Sequence, residues 1–555
     1  MKTSSSPVIS TSKLVSLCSL CLVSLAILVY VVYLAIYVAY AADLFQWPFD
    51  YDQGEGFELY DAILYSQGEW PYRDNAVYPF YASNYPPLFH LLIVPLLPFF
   101  GPSVVAGRVV SFVSTLVTGA TIALVVRRQV GGWFIPLISG LSFWASNYIY
   151  QVGPLCRMHM TMVMFETLAV ALIAGFEHPQ HGRRNLLLGL LALLCAGYTK
   201  QMAIFTVIAT LFYIFLRDIR QAVVAGVGLA LTAGLIFWWL NYATDGQWWV
   251  NTIQANVNTY DYRQTIFLFK QWFRLHTLFV VLAVGYLAYE LFWDRLSVYS
   301  LWFLFSLGSG ALSGKWGAGF GYFTTGVAAA CLTSGLALGR LKGVHWPTVE
   351  KRRGLAFLSF PSWTRALGGL MAVLYLIQAP RMLHLPTDGP LFGPLAQALG
   401  VDDALVYGTA DQLASNHCAP VPYHDAMGYT QLGHRLSLAD YTAGARILDY
   451  VRTADGPVFS EEAMFSLLAG KPVITNPTQL LNLYKNGLLD TTDIIARIEA
   501  EEFGLVIFRA QFYPPPVLEA IGQHYHPVEH VCMNGFYYHL LWPNRVLDHR
   551  DHLAE

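Results

Sequence analysis

Charge is what this chain has least of. Only 12% of its 555 residues are charged, where a soluble domain carries about 25%. Hydrophobic residues make up 55%, and the mean hydropathy is +0.44. These values exclude an ordinary soluble protein and imply a polytopic α-helical membrane protein. Basic residues form no patch interleaved with aromatics, so nucleic acid is not an expected partner. There is no P-loop and no dinucleotide-type glycine fingerprint. No internal repeat is visible, which disfavours an inverted-repeat transporter. The seven cysteines form no zinc-type pairs. Cys18, Cys21, Cys156, Cys195 and Cys331 lie in or beside apolar segments and read as small apolar residues. Cys418 and Cys532 lie in a polar C-terminal part and can pair if that part is outside the cell.

Apolar runs recur to about residue 380 and then stop. The first, Leu14 to Ala42, is longer than the roughly 7–15 residues of a signal-peptide core, so it is expected to be a retained transmembrane helix. Basic clusters separate later runs: Arg127-Arg128, "HGRRN" at 181–185, Arg217 with Arg220, Arg295, and "GRLKG" with "EKRRG" between 339 and 354. Positive charge in short loops marks the cytoplasmic side. One topology satisfies all of them, with Lys13 holding the N-terminus inside. Residues 43–86 then form a first outer loop with interfacial helices. Residues 87–101 are too short to span and dip into the membrane or lie along it. Spans follow near 104–126, 133–152, 158–176, 186–199, 201–216, 221–241, 275–293, 297–313, 321–338 and 364–380. That makes roughly eleven spans in a plasma or inner membrane, with the C-terminus outside.

The expected domains are thus 1–380 in the membrane and 381–555 as a soluble extracytoplasmic α/β domain. In the latter, "GPVFSEE", "KPVITNP", "LVIFRA" and "GFYYHLLWP" read as strands. "AMFSLLAG", "DTTDIIARIEAEEFG" and "PPPVLEAIGQHY" read as helices. His417, His424 and His434 are scattered in loop-like sequence and read as surface histidines.

The topology gathers one constellation outside. "DYDQGEGFELYDAILYSQGEWPYRD" (50–74) is the densest acidic stretch, and Arg157, Lys200 and Lys315 are basic residues left outside near span ends. Each cation alone has a bland reading as a snorkelling anchor. Three on one face opposite an acidic loop favour a site. Glu58, Asp61, Glu69 and Asp74 read as solvated faces of an interfacial helix and its turn. Tyr51, Trp70, Tyr72, Tyr78 and Tyr81 read as an interface belt. The stretch "DGQWWVNTIQANVNTYDYRQ", in the loop from Tyr242 to about Arg274, suits sugar or lipid contacts. Carboxylates at a membrane boundary bind a divalent cation or act as general base, and nearby cations hold a phosphate. Together these fit glycosyl transfer from a lipid-linked phosphosugar.

At these residues the chain resembles the GT-C membrane glycosyltransferases, in the group related to protein O-mannosyltransferases and bacterial lipid A aminoarabinose transferases. The acidic loop, "NYPPLFHLL" (84–92), "GYTKQ" (197–201) and "GKWGAGFGYFTTGVAAACL" (314–332) carry the resemblance, with "GPVFSEEAMFSLLAGKPV" in the C-terminal part. It implies a polyprenyl-phosphate sugar donor, a lipid, glycan or protein acceptor, and inversion at the sugar. It places the catalytic carboxylate on Asp52, with Glu55 beside it and Asp50 as runner-up. Substrate-binding candidates are Arg157, His159, Lys200, Lys315 and Tyr85. Asp52, Glu55 and His159 are the candidate ligands if a divalent metal takes part. Two departures stand out. Asn84 and Tyr85 precede Pro-Pro where many relatives have a charged residue, and Arg157-Met158-His159 stands where relatives often have an Asp. The rival readings are a transporter or flippase of a lipid-linked or small polar substrate, and a non-catalytic receptor. Charges gathered at one face rather than at mid-span favour chemistry over passage.

Overall fold

The computed structural model describes residues 11–343, 360–382, 394, 397–398 and 436–546. Cys418, His417, His424 and His434 lie outside the described residues, while Cys532 is disulfide-bonded. Helix Thr11–Gln46 runs for 36 residues, about 54 Å at 1.5 Å per residue. That exceeds a bilayer core of about 30 Å. Tyr30, Tyr33, Tyr37 and Tyr40 recur at helical spacing and form its buried face. Tyr150 stacks on Tyr40 at 4.4 Å, and the Tyr30 hydroxyl donates to Tyr375 O of helix Phe360–Met382 at 3.1 Å. Leu17, Leu20, Leu28 and Val32 stay exposed, an apolar surface suited to lipid.

A helix stands at each position expected to span. Leu14–Gln46, Val105–Val130, Ile219–Ala243 and Phe320–Leu341 are long and apolar enough to cross a membrane, and a bent helix pair makes up to five. The chain is a multi-pass membrane protein; the count of eleven crossings is not established by these lengths. The bent pair corrects the expected loop from Tyr242 to Arg274. Its second half is helix Tyr262–Leu275, turned 94° from helix Thr277–Trp293. Leu268, Trp272 and Leu275 fall on one face and are buried there. The Asp261 side chain starts this helix by accepting from Arg263 N at 2.8 Å. Residues 88–100 form short helical pieces with Pro95 and Pro98 at their joints.

The C-terminal region carries a four-stranded mixed sheet of order β1-β2-β4-β3, with β1 Val458–Ser460, β2 Leu505–Phe508, β3 Tyr525–Met533 and β4 Phe536–Pro543. β1 and β2 are parallel, joined through helices Ala463–Leu468, Pro477–Lys485 and Thr492–Glu499. β3 and β4 form an antiparallel hairpin through Asn534-Gly535, both at positive φ, as its tight turn requires. "KPVITNP" is not a strand of this sheet. It runs against the first loop instead, making one isolated parallel bridge from Thr475 to Phe80. The strand it was expected to be is supplied by the hairpin.

Candidate active site

The 43–66 stretch is pinned from behind by Arg108, in helix Val105–Val130. Arg108 is fully buried and donates to both oxygens of Glu55, at 2.9 and 2.7 Å. It also donates to the carbonyls of Leu44, Trp47 at 2.6 Å and Phe49 at 3.0 Å. Glu55 accepts further from Tyr51 N at 2.9 Å and Cys156 N at 2.7 Å. Burial pushes the Glu55 carboxyl up, but Arg108 and the accepted bonds outweigh it and hold it below its ordinary value. Asp50 is also fully buried. It accepts from Gly56 N at 2.6 Å and from Met464 N at 3.2 Å, joining the first loop to the C-terminal region. Burial, with Glu462 nearby, raises its carboxyl to about 8.

Asp52 points the other way. It lines a cavity of about 160 Å³ together with Tyr85, Arg157, His159 and Lys200. Gly321 and Tyr322 from the late glycine element, and Asn476 and Thr478 from the C-terminal region, complete its wall. Arg157 donates from Nε to Asp52 at 2.7 Å, from Nη1 to Glu58 at 3.3 Å and from Nη2 to Gln53 O at 2.6 Å. Burial opposes its charge, but Asp52 and Glu58 raise it above the ordinary guanidinium value. Two glycines allow the close approach. Gly54 has φ +119°, and a Cβ there would sit 2.8 Å from the Arg157 guanidinium; one at Gly321 would sit 3.2 Å from His159 Nε2.

Lys200 ends helix Gly182–Thr199, its Nζ 2.8 Å from His159 Nε2 and 4.9 Å from the centre of the Tyr85 ring. Burial first, then Arg157, lowers its ammonium to about 7. An ammonium donating to Nε2 requires the hydrogen of His159 on Nδ1, a buried atom with no partner among the described residues. Lys315 is half-buried in the neighbouring loop, where its backbone pairs with Tyr260, and does not line the cavity. The structure therefore brings Asp52, Tyr85, Arg157, His159 and Lys200 to one cavity. It sets Glu55, Asp50 and Lys315 around it.

Two expectations are corrected. Glu58 and Asp61 are not solvated: they are 3% and 2% exposed. Both face His90, whose Nε2 lies 2.6 Å from Glu58 and 3.5 Å from Asp61. Burial disfavours the charged imidazole, but the two carboxylates outweigh it and raise His90. Tyr51, Tyr72 and Tyr81 are not a belt but core, at 0–2% exposure, with Tyr81 donating to Asp61 at 2.7 Å. Glu69 and Asp74 are exposed as expected. The candidate metal ligands Asp52, Glu55 and His159 are each bonded elsewhere. Among the described residues, Glu58, Asp61 and His90 are the group whose donor atoms lie close enough, within 4.8 Å of one another, to share a cation. Two carboxylates and an imidazole suit a borderline divalent metal once His90 gives up its proton. In "NYPPLFHLL" a lone histidine inside an apolar run was the available signal.

The fold, a helical membrane bundle with a small C-terminal mixed sheet, is of the GT-C type and is shared with solved structures. The chain matches the crystal structure of ArnT from Cupriavidus metallidurans bound to undecaprenyl phosphate at TM-score 0.56 and 12% identity, covering 94% of this chain and 97% of that one. It matches ArnT from the same organism in the apo state at TM-score 0.54 and 13% identity, over 91% and 97% of the two chains. An oligosaccharyltransferase from Archaeoglobus fulgidus aligns at TM-score 0.49 and 11% identity, covering 93% of this chain and 74% of that one. No protein-family model matches the chain, and no curated protein matches it.

Proposed function

We propose that this protein transfers a sugar from a polyprenyl-phosphate donor to a hydroxyl acceptor at the outer face of the membrane, with inversion. The observation that carries the proposal is a carboxylate, Asp52, facing two cations, Arg157 and Lys200, in one cavity. Beside that cavity lies an apolar groove of about 510 Å³. Pro86 and Gln201, next in the chain to Tyr85 and Lys200, line the groove with Leu193, Leu229 and Phe237. The groove takes the lipid chain and the cations take the phosphate. Asp52, oriented by Arg157, accepts the acceptor's hydroxyl proton. The freed oxygen attacks the anomeric carbon from the side opposite the phosphate. The carbon–oxygen bond to phosphate breaks, and polyprenyl phosphate leaves with the bonding pair, its charge met by Arg157 and Lys200. A divalent cation held by Glu58, Asp61 and His90 would add positive charge near that phosphate. The fold of a protein crystallised with undecaprenyl phosphate supports the donor class. Residues 1–380 form the catalytic membrane domain in this proposal, and 381–555 form the outer domain.

The test is turnover by the purified full chain in nanodiscs with an undecaprenyl-phosphate hexose. Sugar appearing on an added acceptor, matched by release of bare carrier, is the expected result. A donor that neither binds nor reacts overturns the reading. Sidedness is tested with single cysteines replacing the exposed Glu69 and Asp74 in a cysteine-free chain. Labelling of intact cells by an impermeant thiol reagent is expected, and protection until the cells are opened overturns the outer-face assignment.

A further inference from the structure

The cavity holds a polar group that neither the phosphate nor the base explains. Gln151, in the short helix Asn147–Val152, is 1% exposed and lines the cavity. Among the described residues, neither its Oε1 nor its Nε2 has a hydrogen-bond partner. Nε2 of Gln53, 9% exposed on the same wall, is likewise unpartnered. Buried amides are almost always bonded, so one left open on both atoms in a cavity awaits a ligand or water. A phosphate has only acceptors to offer and has Arg157 and Lys200 to meet it. A carboxamide offers one acceptor and a donor side by side, which matches a pair of neighbouring hydroxyls. The volume, about 160 Å³, has room for about ten water-sized groups, the scale of one sugar ring.

Charge narrows the class further. The acids on the wall are Asp52, Glu58 and Asp61. Asp52 and Glu58 are met by Arg157, and Glu58 and Asp61 by His90. With Lys200 added, the wall has no surplus negative charge to favour a cationic amino sugar.

We propose that Gln151, assisted by Gln53, reads adjacent hydroxyls of the transferred sugar, and that the donor's sugar is therefore a neutral hexose. The inference rests on the donor reading above and deepens it. Its test is equilibrium binding to the purified full chain of three probes: bare undecaprenyl phosphate, its neutral-hexose diester and its 4-amino-4-deoxypentose diester. The wild type is expected to bind the hexose diester about tenfold more tightly than the bare carrier, and more tightly than the amino sugar. Gln151→Met keeps the shape and removes the hydrogen bonds. It is expected to abolish the hexose preference while leaving bare-carrier affinity within about twofold. Failure of the wild type to bind any of the three sinks the donor reading itself. Binding with the hexose preference intact in Gln151→Met leaves only water for the amide and sinks this inference alone, as does preference for the amino sugar. Should Gln151→Met not yield monodisperse protein, monodeoxy hexose diesters on the wild type decide. Loss of the preference with at least one of them supports the inference, and retention with all of them overturns it.

Discussion

Two arginine–carboxylate pairs hold the same short stretch of chain, and they have opposite surroundings. Glu55 and Arg108 are both 0% exposed, while Asp52 and Arg157 are 14% and 16% exposed and face the cavity. Only Gln53 and Gly54 separate the two carboxylates in the chain. One lies behind the turn, with five donated bonds fixing its geometry. The other lies in front, lining the cavity. An acidic motif read as one catalytic unit is here a support and, in the proposed reaction, the base, back to back.

The contrast is tested most severely from behind. Arg108→Met leaves Glu55 charged and unpaired in the interior and three carbonyls without their donor. It is expected to cost about 3–5 kcal/mol, seen as a collapse of the thermal unfolding temperature, with Glu55→Gln added in the same chain recovering part of it. Asp52→Asn is expected to do the reverse: it destabilises less than Arg108→Met, because Asn still offers Arg157 an acceptor and Glu58 still meets its charge, while turnover falls by about 10²- to 10⁴-fold. If Asp52→Asn unfolds the chain as Arg108→Met does, the division between support and reactive group is wrong. Gly54→Ala probes the turn that separates the pairs. Positive φ and the collision with Arg157 predict about 1–3 kcal/mol of destabilisation and weaker donor binding, read by calorimetry.

The smallest effect is on pH. A lysine lowered to about 7 is cationic below that value and neutral above it. A phosphodiester donor does not titrate in this range, so its affinity should fall severalfold as pH rises from about 6 to 8. Lys200→Arg, cationic throughout, should flatten the profile. An unchanged slope in that variant removes Lys200 from the phosphate's partners.

The sequence made the membrane class legible through hydropathy, and charge sidedness grouped Asp52, Arg157 and Lys200, which the fold does bring to one cavity. What it hid were interior partners. Arg108 lies near the start of an apolar run, where an arginine ordinarily snorkels; nothing local says that it turns inward to five acceptors. Glu166 is similar. It sits inside helix His159–Ile173, held by Thr206 at 2.7 Å and Thr325 at 2.6 Å from two other helices, so the spans are less free of charge than they read. Gln151 gave no signal because a buried amide becomes informative only once its missing partners are known. The acidic helix misled through its own spacing. Glu58 and Asp61 share a face, as solvated pairs do, but that face meets His90 across a tertiary contact. "KPVITNP" has strand composition, yet its backbone pairs once with the first loop, and local propensity carries no trace of that choice.

Asp50 accepts from Gly56 N on one side and Met464 N on the other, across 414 residues of chain. Asn534 Nδ2 donates to Tyr51 O across 483. At roughly 5–20 residues per second of synthesis, the ribosome needs about 20 to 80 s to cover the first of these gaps. For that interval the acidic loop exists without the wall that closes its cavity, since Asn476 and Thr478 are still unmade. The cavity is thus closed last, by residues from the far end of the chain. A chain truncated before residue 464 lacks both of these partners, Met464 and Asn534, and leaves the acidic loop without the contacts that hold it from the C-terminal side.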